Sequence, residues 1–234
     1  MFIWKNYIWK NSVKIGGDSI DIIEIAQEDE KFPKILRQIK DCPKKIYVLG
    51  NIENLNKKSI TIVGSRNASE YGKRNAGNIA YYLAKKDYVI VSGLAIGIDT
   101  MAHIGTLKAK GRTIAVLTHG LNKIYPYCNR QLAIEILKNN GTLISENPIG
   151  TIISKESFSY RDRIMSGLSM CTIIVEAKKE SGSLMTADYA LSQGRDVYAV
   201  PGKLTSPTSQ GTNQLLKEGA KPIIQIYNEF VLEI

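Results

Sequence analysis

Two glycine-containing turns each follow an apolar run of the sequence, and both have residues suited to binding an anion. The first is Gly64–Arg66, and the second is Ser92–Asp99. Between a strand and a helix, such turns present backbone N–H groups and a helix N-terminus to a negatively charged group. Arg66 adds a planar guanidinium whose donors match a phosphate. The two turns therefore predict a phosphate-containing ligand, which is either a nucleotide or a nucleic-acid strand.

The second turn, SGLAIGID, differs from the G-x-G-x-x-G fingerprint of dinucleotide-binding proteins, which is absent from the sequence. Gly93 and Gly97, which follow Ser92, still indicate a close approach between the backbone and a ligand. Asp99 would either contact a ribose hydroxyl or cap the next helix, and we favour capping because Asp is common at helix N-termini. His103, one helical turn later, is interpreted as a structural residue.

The segment Phe158–Arg163, with the sequence FSYRDR, alternates aromatic and basic residues at the predicted start of a helix. Bases stack on aromatic rings while arginines hold phosphates, so this pattern is typical of single-stranded nucleic-acid binding. The alternative is an ordinary amphipathic helix start with an Arg–Asp pair. The loop Asn122–Pro126 also combines a cation with an aromatic ring, which suits phosphate and base contacts.

Small and cationic residues also follow the later apolar runs. Lys178 and Ser181–Gly182 come after Thr172–Val175, and Pro201–Lys203 comes after Val197–Val200. Ser181–Gly182 stands before a predicted helix, where the positive end of the helix dipole favours an anion. Because the carboxyl ends of parallel strands meet at one edge of a sheet, we expect all these turns to form one ligand-binding rim.

Two carboxylates, Glu146 and Glu176, also end predicted strands and would suit general acid–base catalysis. They belong to different strands, however, and no Ser-His-Asp or Cys-His arrangement accompanies them. His119 follows a third strand and has no carboxylate next to it in the sequence. The three cysteines are far apart and there are only two histidines, so no metal site is expected. We therefore predict a binding protein without a cofactor rather than an enzyme.

The charge balance is basic, with 31 Lys and Arg against 22 Asp and Glu, a formal net charge of +9. This surplus fits either a solvated lysine-rich surface or a polyanionic partner, and the count alone does not choose between them. No apolar run reaches the roughly 18 residues that span a bilayer. The first ten residues mix aromatics with lysines and lack the apolar core of a signal peptide. The sequence therefore predicts a cytoplasmic protein that makes no membrane contact.

The elements that must position these residues alternate regularly from Ser59 onward. Short apolar runs, typical of strands buried on both faces of a sheet, occur at Ile60–Val63, Val89–Val91, Thr113–Leu117, Thr142–Ile144, Thr172–Val175 and Val197–Val200. Between them, apolar residues recur at helical spacing, as in Ala76–Ala84, Leu132–Leu137 and Leu184–Leu191, with Gly194 placed to end the last helix. This alternation predicts one α/β domain over residues 59–234, with a mostly parallel twisted sheet and helices on both faces.

Residues 1–58 lack this alternation and are expected to form a short extension packed on the core. Ile20–Ile25 would be a strand or the start of a helix. The spacing of apolar residues in Phe32–Ile39 predicts a helix, with a proline at a tolerated position in its first turn. Ile46–Gly50 has the composition of a strand, and Asn51–Lys58 is interpreted as a polar connector.

From about Phe32 to Ala220, the sequence resembles the DprA/Smf family of DNA-processing proteins. The strings that carry the resemblance, in order and spacing, are IVGSR (62–66), SGLAIGID (92–99), TIAVL (113–117), YPYCN (125–129), LISE (143–146), FSYRDRI (158–164), VEA (175–177), SGSLMTA (181–187), GRDV (194–197), AVPG (199–202) and GTNQL (211–215). The resemblance implies an extended Rossmann-like domain that binds single-stranded DNA and forms a homodimer. It also implies a role in natural transformation, where such a protein protects incoming strands, displaces single-strand-binding protein and helps to load RecA recombinase.

Carried over residue by residue, the resemblance places the DNA site on the rim deduced above. The residues implied are Gly64, Ser65, Arg66, Ser92, Gly93, Gly97, Phe158, Arg161 and Arg163, with Lys178, Ser181 and Gly182 as additions. The base-stacking role of Phe158 is our own extrapolation from its position. Asp162 departs from the family, where Asn is common between the two arginines, and would weaken anion binding unless it pairs with one of them. His119 stands where a glycine-rich turn is common.

Many family members also carry a helical N-terminal domain and a C-terminal winged-helix-like domain, and neither is expected in this sequence. The alternative function is that of the lysine-decarboxylase-like phosphoribohydrolases, which share the Rossmann-like topology and hydrolyse nucleotides. Their PGGxGTxxE signature is not matched by Glu180–Thr186, which lacks the acid at the corresponding position. A third hypothesis is a sensor whose rim binds a small nucleotide, although the Phe158–Arg163 cluster favours a polymer.

Overall fold

The computed structural model describes residues 12–15, 18–151 and 155–225, and within these ranges it forms a ten-stranded sheet with six α-helices. The strands are β1 (Ser12–Ile15), β2 (Asp18–Ala26), β3 (Lys45–Gly50), β4 (Ser59–Val63), β5 (Val89–Ser92), β6 (Thr113–Leu117), β7 (Thr142–Ser145), β8 (Cys171–Ile174), β9 (Asp196–Ala199) and β10 (Lys221–Pro222). The helices are α1 (Glu70–Lys85), α2 (Ile98–Lys108), α3 (Arg130–Lys138), α4 (Lys155–Gly167), α5 (Gly182–Ser192) and α6 (Gln210–Lys217).

The strands lie in the order β1-β2-β3-β7-β6-β5-β4-β8-β9-β10. All neighbours from β7 to β10 in this order are parallel, whereas β1, β2 and β3 continue the sheet beyond β7 with antiparallel pairing. The chain leaves β4 towards β5 on one side and later reaches β8 on the other side. The order therefore reverses between β4 and β8, and open α/β sheets bind their ligands at the carboxyl ends of such a pair.

Helices cover both faces of the sheet because successive strand residues point to opposite sides. In β4, Ile60 and Ile62 pack with α1 and α2, whereas Val63 belongs to the cluster that holds residues of α4, α5 and α6. Helix α3 packs on the same face as α1 and α2, against alternate residues of β6 and β7. The prediction of a mostly parallel sheet with helices on both faces is confirmed.

The six apolar runs predicted as strands form β4 to β9, and the three predicted helical patterns lie in α1, α3 and α5. Gly194 follows α5 with a φ of 68°, the left-handed conformation of a helix end. Ile20–Ile25 lies in β2, so the strand alternative is correct there, and Ile46–Gly50 lies in β3. Asn51–Lys58 contains a short 3₁₀-helix at Ile52–Asn56 rather than a plain connector.

The helix predicted at Phe32–Ile39 is wrong. This segment contains only a 3₁₀-turn at Leu36–Gln38. Prolines at positions 33 and 43 limit the backbone hydrogen bonds available to a longer helix. Phe32, Leu36 and Ile39 are instead buried in the core cluster that includes residues of α4, where Leu36 and Ile39 approach Gly167 closely. Burial of apolar side chains, rather than helical hydrogen bonding, thus determines the conformation of this segment.

Within the described ranges, no helix has the length and apolar character needed to cross a membrane. The first eleven residues, on which the prediction about a signal peptide depends, lie outside those ranges.

Candidate functional site

A cavity of about 520 Å³ opens between the carboxyl ends of β4 and β8, where the strand order reverses. Its walls come from the turn after β4, from α4 and from the first turn of α5. We call it the main cavity. The predicted site residues in its walls are Gly64, Ser65, Arg66, Phe158, Arg161, Ser181 and Gly182. Residues far apart in the sequence therefore meet at the rim where the pattern of turns placed them.

The turn after β4 is held in place by both neighbouring elements. The backbone N–H of Ser65 donates to the carbonyl of Glu176, just after β8, at 2.8 Å, and its carbonyl accepts from Ile98 N–H at 3.2 Å. The Ser65 hydroxyl oxygen accepts a hydrogen bond from Asn67 N–H at 3.1 Å. This fixed backbone presents Arg66, which is exposed, at the mouth of the main cavity.

Two guanidinium groups lie over the ring of Phe158. The Cζ atom of Arg66 is 4.7 Å from the ring centroid, and that of Arg161 is 5.9 Å from it. Cations at these distances are attracted to the face of an aromatic ring. An aromatic platform with two adjacent cations is the combination that can stack on a base and neutralise its phosphate.

Arg161 is buried and bound to protein groups. Its Nη1 donates to the carbonyl of Gly93 at 2.7 Å, and its Nε lies 2.9 Å from Oδ1 of Asp162. The acidic residue that departs from the family thus pairs with one of its neighbouring arginines. Burial raises the pKa of the Asp162 carboxyl, although Arg161 opposes this effect. The exposed cation in the walls of the main cavity is therefore Arg66 rather than Arg161.

Asp99 stabilises the loop after β5 and does not cap its own helix. Its Oδ2 accepts from the N–H groups of Gly93, at 3.2 Å, and Ala95, at 3.3 Å, whereas the N-cap residue of α2 is Gly97. The capping interpretation is therefore wrong, because the carboxylate turns back towards the preceding loop. The side chain lies in the wall of the main cavity, and burial raises its pKa to about 6 despite the nearby Arg161.

Three of the four glycines of the predicted site are in close contact with other parts of the protein, whereas a Cβ on Gly182 would meet nothing within 4 Å. Gly97 has a φ of 85°, and a Cβ there would overlap the carbonyl of Ser65. A Cβ on Gly93 would overlap Nη1 of Arg161. A Cβ on Gly64 would lie 2.8 Å from the carbonyl oxygen of Glu176. These positions need glycine for the packing of the rim, whatever further role they have towards a ligand.

Besides Gly93 and Gly97, three predicted residues lie outside the walls of the main cavity. Ser92 is buried, and its hydroxyl donates to the carbonyl of Ile62 at 2.7 Å. Arg163 is buried, and its Nη2 donates to both carboxylate oxygens of Glu146, at 2.8 and 2.9 Å. Lys178 is exposed just after β8. A direct role of these three residues in DNA binding stays a prediction.

The cavity also has polar wall residues that the sequence analysis did not single out. They are Asn67, next to the first turn, and Ser183 and Thr186, in the first turns of α5. The hydroxyl oxygen of Ser181, the N-cap residue of α5, accepts from Ser183 N–H at 3.4 Å. All three lie within or next to sequence strings quoted above for the family resemblance. Including the first residues after each turn among the candidate site residues would have identified them.

The two rim carboxylates considered for catalysis are bound by protein groups. Glu146 pairs with Arg163, and Glu176 accepts hydrogen bonds from Ser69, at both its N–H and its hydroxyl, and from Thr208. In the part of the chain that the structure describes, no group of three or more His, Cys, Asp or Glu side chains could hold a metal ion. Glu146 and Glu176 are therefore each held in contacts with other protein groups.

Both histidines are buried. Nδ1 of His103 lies 2.8 Å from the hydroxyl of Thr113, and burial lowers the pKa of its imidazole to about 3, so the structural interpretation is confirmed. Nδ1 of His119 lies 3.0 Å from the carbonyl of Gly120, and burial lowers its pKa as well. The departure from a glycine-rich turn thus places a buried neutral ring near the rim.

Comparison with known proteins identifies the family of this chain. A model of the family described as DNA recombination-mediator protein A matches residues 24–232. The chain is 45% identical over 200 residues to the DNA processing protein DprA of Bacillus subtilis, covering 85% of this chain and 67% of that protein. It is 41% identical over 196 residues to Protein Smf of Escherichia coli, covering 84% of this chain and 52% of that protein. The chain thus spans about half to two thirds of the length of these two relatives.

A solved structure of DNA processing protein A from Helicobacter pylori shares the fold, and it is described as giving "Structural insights into the unique single-stranded DNA binding mode" of that protein. The TM-score is 0.79 at 34% sequence identity, and the match covers 87% of this chain and 92% of the other. The family model, the identities and the shared fold agree over most of the described residues, and the chain belongs to the DNA recombination-mediator protein A family.

Proposed function

We propose that this protein binds single-stranded DNA as a recombination mediator and that the main cavity holds one unstacked nucleotide of the strand. The observation that carries the proposal is the Phe158 ring with the guanidinium groups of Arg66 and Arg161 close to it, at the switch point of the sheet. The family to which the chain belongs, and the single-stranded DNA binding mode described for the Helicobacter pylori relative, support the same assignment.

The phosphate would be held by groups at the mouth of the cavity. Arg66 supplies a charged fork, and the N-terminus of α5, which begins after Ser181, supplies backbone N–H groups and hydroxyls. Arg66 now covers one face of Phe158, so a base that stacks on this face requires Arg66 to move. Stacking and phosphate contacts do not read base edges, so we expect little sequence preference.

The finer roles follow from family membership. We propose that the protein forms a homodimer, protects incoming strands, displaces single-strand-binding protein and helps to load RecA recombinase during natural transformation in the cytoplasm. We also propose residues 59–234 as the DNA-binding domain, with residues 1–58 as its extension. Nucleotide hydrolysis gains no support from the site, because Glu146 and Glu176 are engaged by other protein groups.

Fluorescence anisotropy with labelled oligo-dT, titrated at several salt concentrations, tests the proposal. We expect binding that weakens steeply as salt rises, because phosphate contacts dominate. Arg66→Ala should cost roughly 1–3 kcal/mol of binding, the scale of a lost charge-assisted hydrogen bond. Arg74→Ala is the matched control, since Arg74 is an exposed arginine of α1 outside the main cavity.

Two results would contradict the proposal. The first is the absence of oligo-dT binding at low salt, after which a screen of free nucleotides would test the small-ligand alternative. The second is an equal effect of Arg66→Ala and Arg74→Ala, which would remove Arg66 from the site.

A further inference from the structure

A second cleft lies next to the main cavity and shares four residues with its walls, including Arg66, Phe158 and Arg161. Its other walls are the loop after β5, which contributes Ile96, and the loop after β6, which contributes Tyr125. We call it the Ile96–Tyr125 cleft. Because Phe158 lines both spaces, a ligand that leaves the main cavity on this side enters the cleft directly.

The lining of this cleft is apolar and aromatic, with cations at its border. Ile96 is 46% exposed and Tyr125 is 52% exposed, although both side chains are large and apolar. They lie beside Leu117 and Pro126, and Arg66 and Arg161 close the side facing the main cavity. Exposed apolar side chains next to a cationic site are typical of a surface that stacks on bases.

The two loops that form the cleft are fastened to each other. Nδ2 of Asn129 donates to the carbonyl of Leu94 at 2.8 Å and to the hydroxyl of Thr100 at 2.9 Å. The backbone N–H of Asn129 in turn donates to the carbonyl of Pro126 at 3.0 Å. One side chain thus sets the distance between the loop of Ile96 and the loop of Tyr125.

The backbone of the first loop directs Ile96 outward. Leu94 has a φ of 58°, which is unusual for a residue with a branched side chain, and its side chain is fully buried. A conformation of this kind is strained and persists only where the surrounding structure enforces it. Here it buries Leu94 in the core while Ile96, two residues later, remains at the surface.

We propose that the Ile96–Tyr125 cleft is a second base-binding subsite, which takes the unpaired base of the nucleotide next to the one in the main cavity. The inference rests on the proposed function and extends it from one nucleotide to two. Continuity with the main cavity argues for the same strand as the occupant, and the two bordering arginines match its phosphates. The enclosed volume is about 90 Å³, so the cleft grips the edge and one face of a ring rather than enclosing a whole nucleotide.

This arrangement makes a dinucleotide the smallest ligand that uses the full site. Phe158 would separate the two bases, so each would be unstacked from the other and held against protein. A strand held in this way is kept in a conformation that cannot pair with a complementary strand at these two positions.

The test compares 5′-phosphorylated thymidine mono-, di- and trinucleotides as competitors of labelled oligo-dT. For the unmodified protein we expect a large gain in affinity from the mononucleotide to the dinucleotide. Tyr125→Ala should remove most of this gain, lowering dinucleotide affinity roughly 5- to 100-fold, the effect of one lost stacked base. Affinity for the mononucleotide should stay unchanged. Ile96→Ala should act in the same direction, and both residues are exposed enough for the variants to fold.

Two controls isolate stacking. Tyr125→Phe keeps the ring and should keep the gain from mono- to dinucleotide. Tyr127→Ala removes an aromatic side chain that is 68% exposed and lies outside the walls of the cleft, so it should bind all ligands as the unmodified protein does.

The outcomes separate the subsite from the proposed function. If Tyr125→Ala and Ile96→Ala bind the dinucleotide as tightly as the unmodified protein, or lose mono- and dinucleotide affinity equally, the cleft is not a base subsite. If Arg66→Ala weakens binding at the same time, the proposed function stands and only the subsite fails. If the unmodified protein binds no oligonucleotide at low salt, both are overturned.

Discussion

Helix α4 has an arginine on each of two opposite sides, and the two arginines make different contacts. Arg161 and Arg163 are two positions apart, and both are buried. Arg161 lines the main cavity and donates to the carbonyl of Gly93, whereas Nη2 of Arg163 donates to both carboxylate oxygens of Glu146 outside that cavity. Because a helix has 3.6 residues per turn, side chains two positions apart point to nearly opposite sides.

The comparison teaches that a cluster of basic residues in the sequence need not be a single binding surface. On the Glu146 side, the carboxylate neutralises Arg163 and leaves little charge for a ligand. On the cavity side, Asp162 pairs with Arg161, but the exposed Arg66 adds a cation beside the ring of Phe158. Since each buried arginine has a carboxylate partner, the cavity and the exposed Arg66 in its wall, rather than the arginines of α4 alone, separate the binding side from the structural side.

The largest effect expected is on stability, from Glu146→Ala. This change leaves the Arg163 guanidinium buried without its carboxylate, and breaking such a pair is costly. We expect the free energy of unfolding to fall by about 2–4 kcal/mol, less than for a fully buried pair because the Glu146 side chain is 29% exposed. Urea denaturation followed by circular dichroism measures the change.

Glu135→Ala is the control for this prediction, since Glu135 pairs with Lys138 at the surface and both side chains are about half exposed. It should change stability by about 0.5 kcal/mol or less. The distinction between the two sides of α4 breaks down if folded Glu146→Ala loses as much affinity for oligo-dT as Arg66→Ala does.

An intermediate effect is expected on DNA affinity, from Phe158→Ala. Loss of a ring on which a base stacks should cost roughly 1–3 kcal/mol of oligo-dT binding. Tyr160→Ala, on the same helix but beside Arg163, is the matched control and should leave affinity unchanged. Equal losses from the two changes in anisotropy titrations would mean that the whole aromatic cluster, rather than its cavity side, contacts the strand.

The smallest effect expected is on pH dependence, through Asp99. Its pKa in the folded protein, about 6, is above the usual 3.8, so the carboxyl becomes neutral as the pH falls through about 6. Because a negative charge beside Arg161 then disappears, affinity for oligo-dT should rise several-fold between about pH 7.5 and about pH 5.5. The same shift means that the contribution of Asp99 to stability declines as the pH rises from 3.8 to about 6, because the folded state holds the proton more tightly.

Asp99→Asn should remove this pH dependence of binding. Asp162 and His119 also lie near Arg161 and are unchanged in this variant. Any pH dependence of binding that remains in Asp99→Asn is therefore attributed to these two groups. If the variant and the unmodified protein show the same pH profile in anisotropy titrations, Asp99 does not control the charge of the cavity.

The strands and the rim could be predicted from the sequence, because both are determined by residues that are close together in the chain. Runs such as Ile60–Val63 are buried on both faces of the sheet, and the turns after β4 and before α5 meet at its switch point. The partners that the arginines of α4 have outside this helix could not be predicted in this way. The contact between Arg161 and Gly93 joins residues 68 positions apart, and that between Arg163 and Glu146 joins residues 17 apart. Such pairs depend on how α4 packs on the sheet.

The N-terminal part shows the same limit. The apolar spacing of Phe32–Ile39 fits a helix, yet its side chains are buried in the core by a 3₁₀-turn and irregular backbone. The antiparallel pairing of β3 with β7 was likewise beyond local pattern, because it joins Val48 to Ile144. Tertiary packing determines both features.

Within the described residues, β10 forms the edge of the sheet opposite β1, and it is a poor template for a further strand. The N–H of Ile223 points inward to the carbonyl of Ala199, so the neighbouring backbone nitrogen, that of Pro222, faces outward and has no hydrogen to donate. An incoming strand from another molecule would find a gap in the ladder at this position. We therefore expect concentrated protein to resist fibril growth from this edge, and self-association there to depend on side chains rather than on continuation of the sheet.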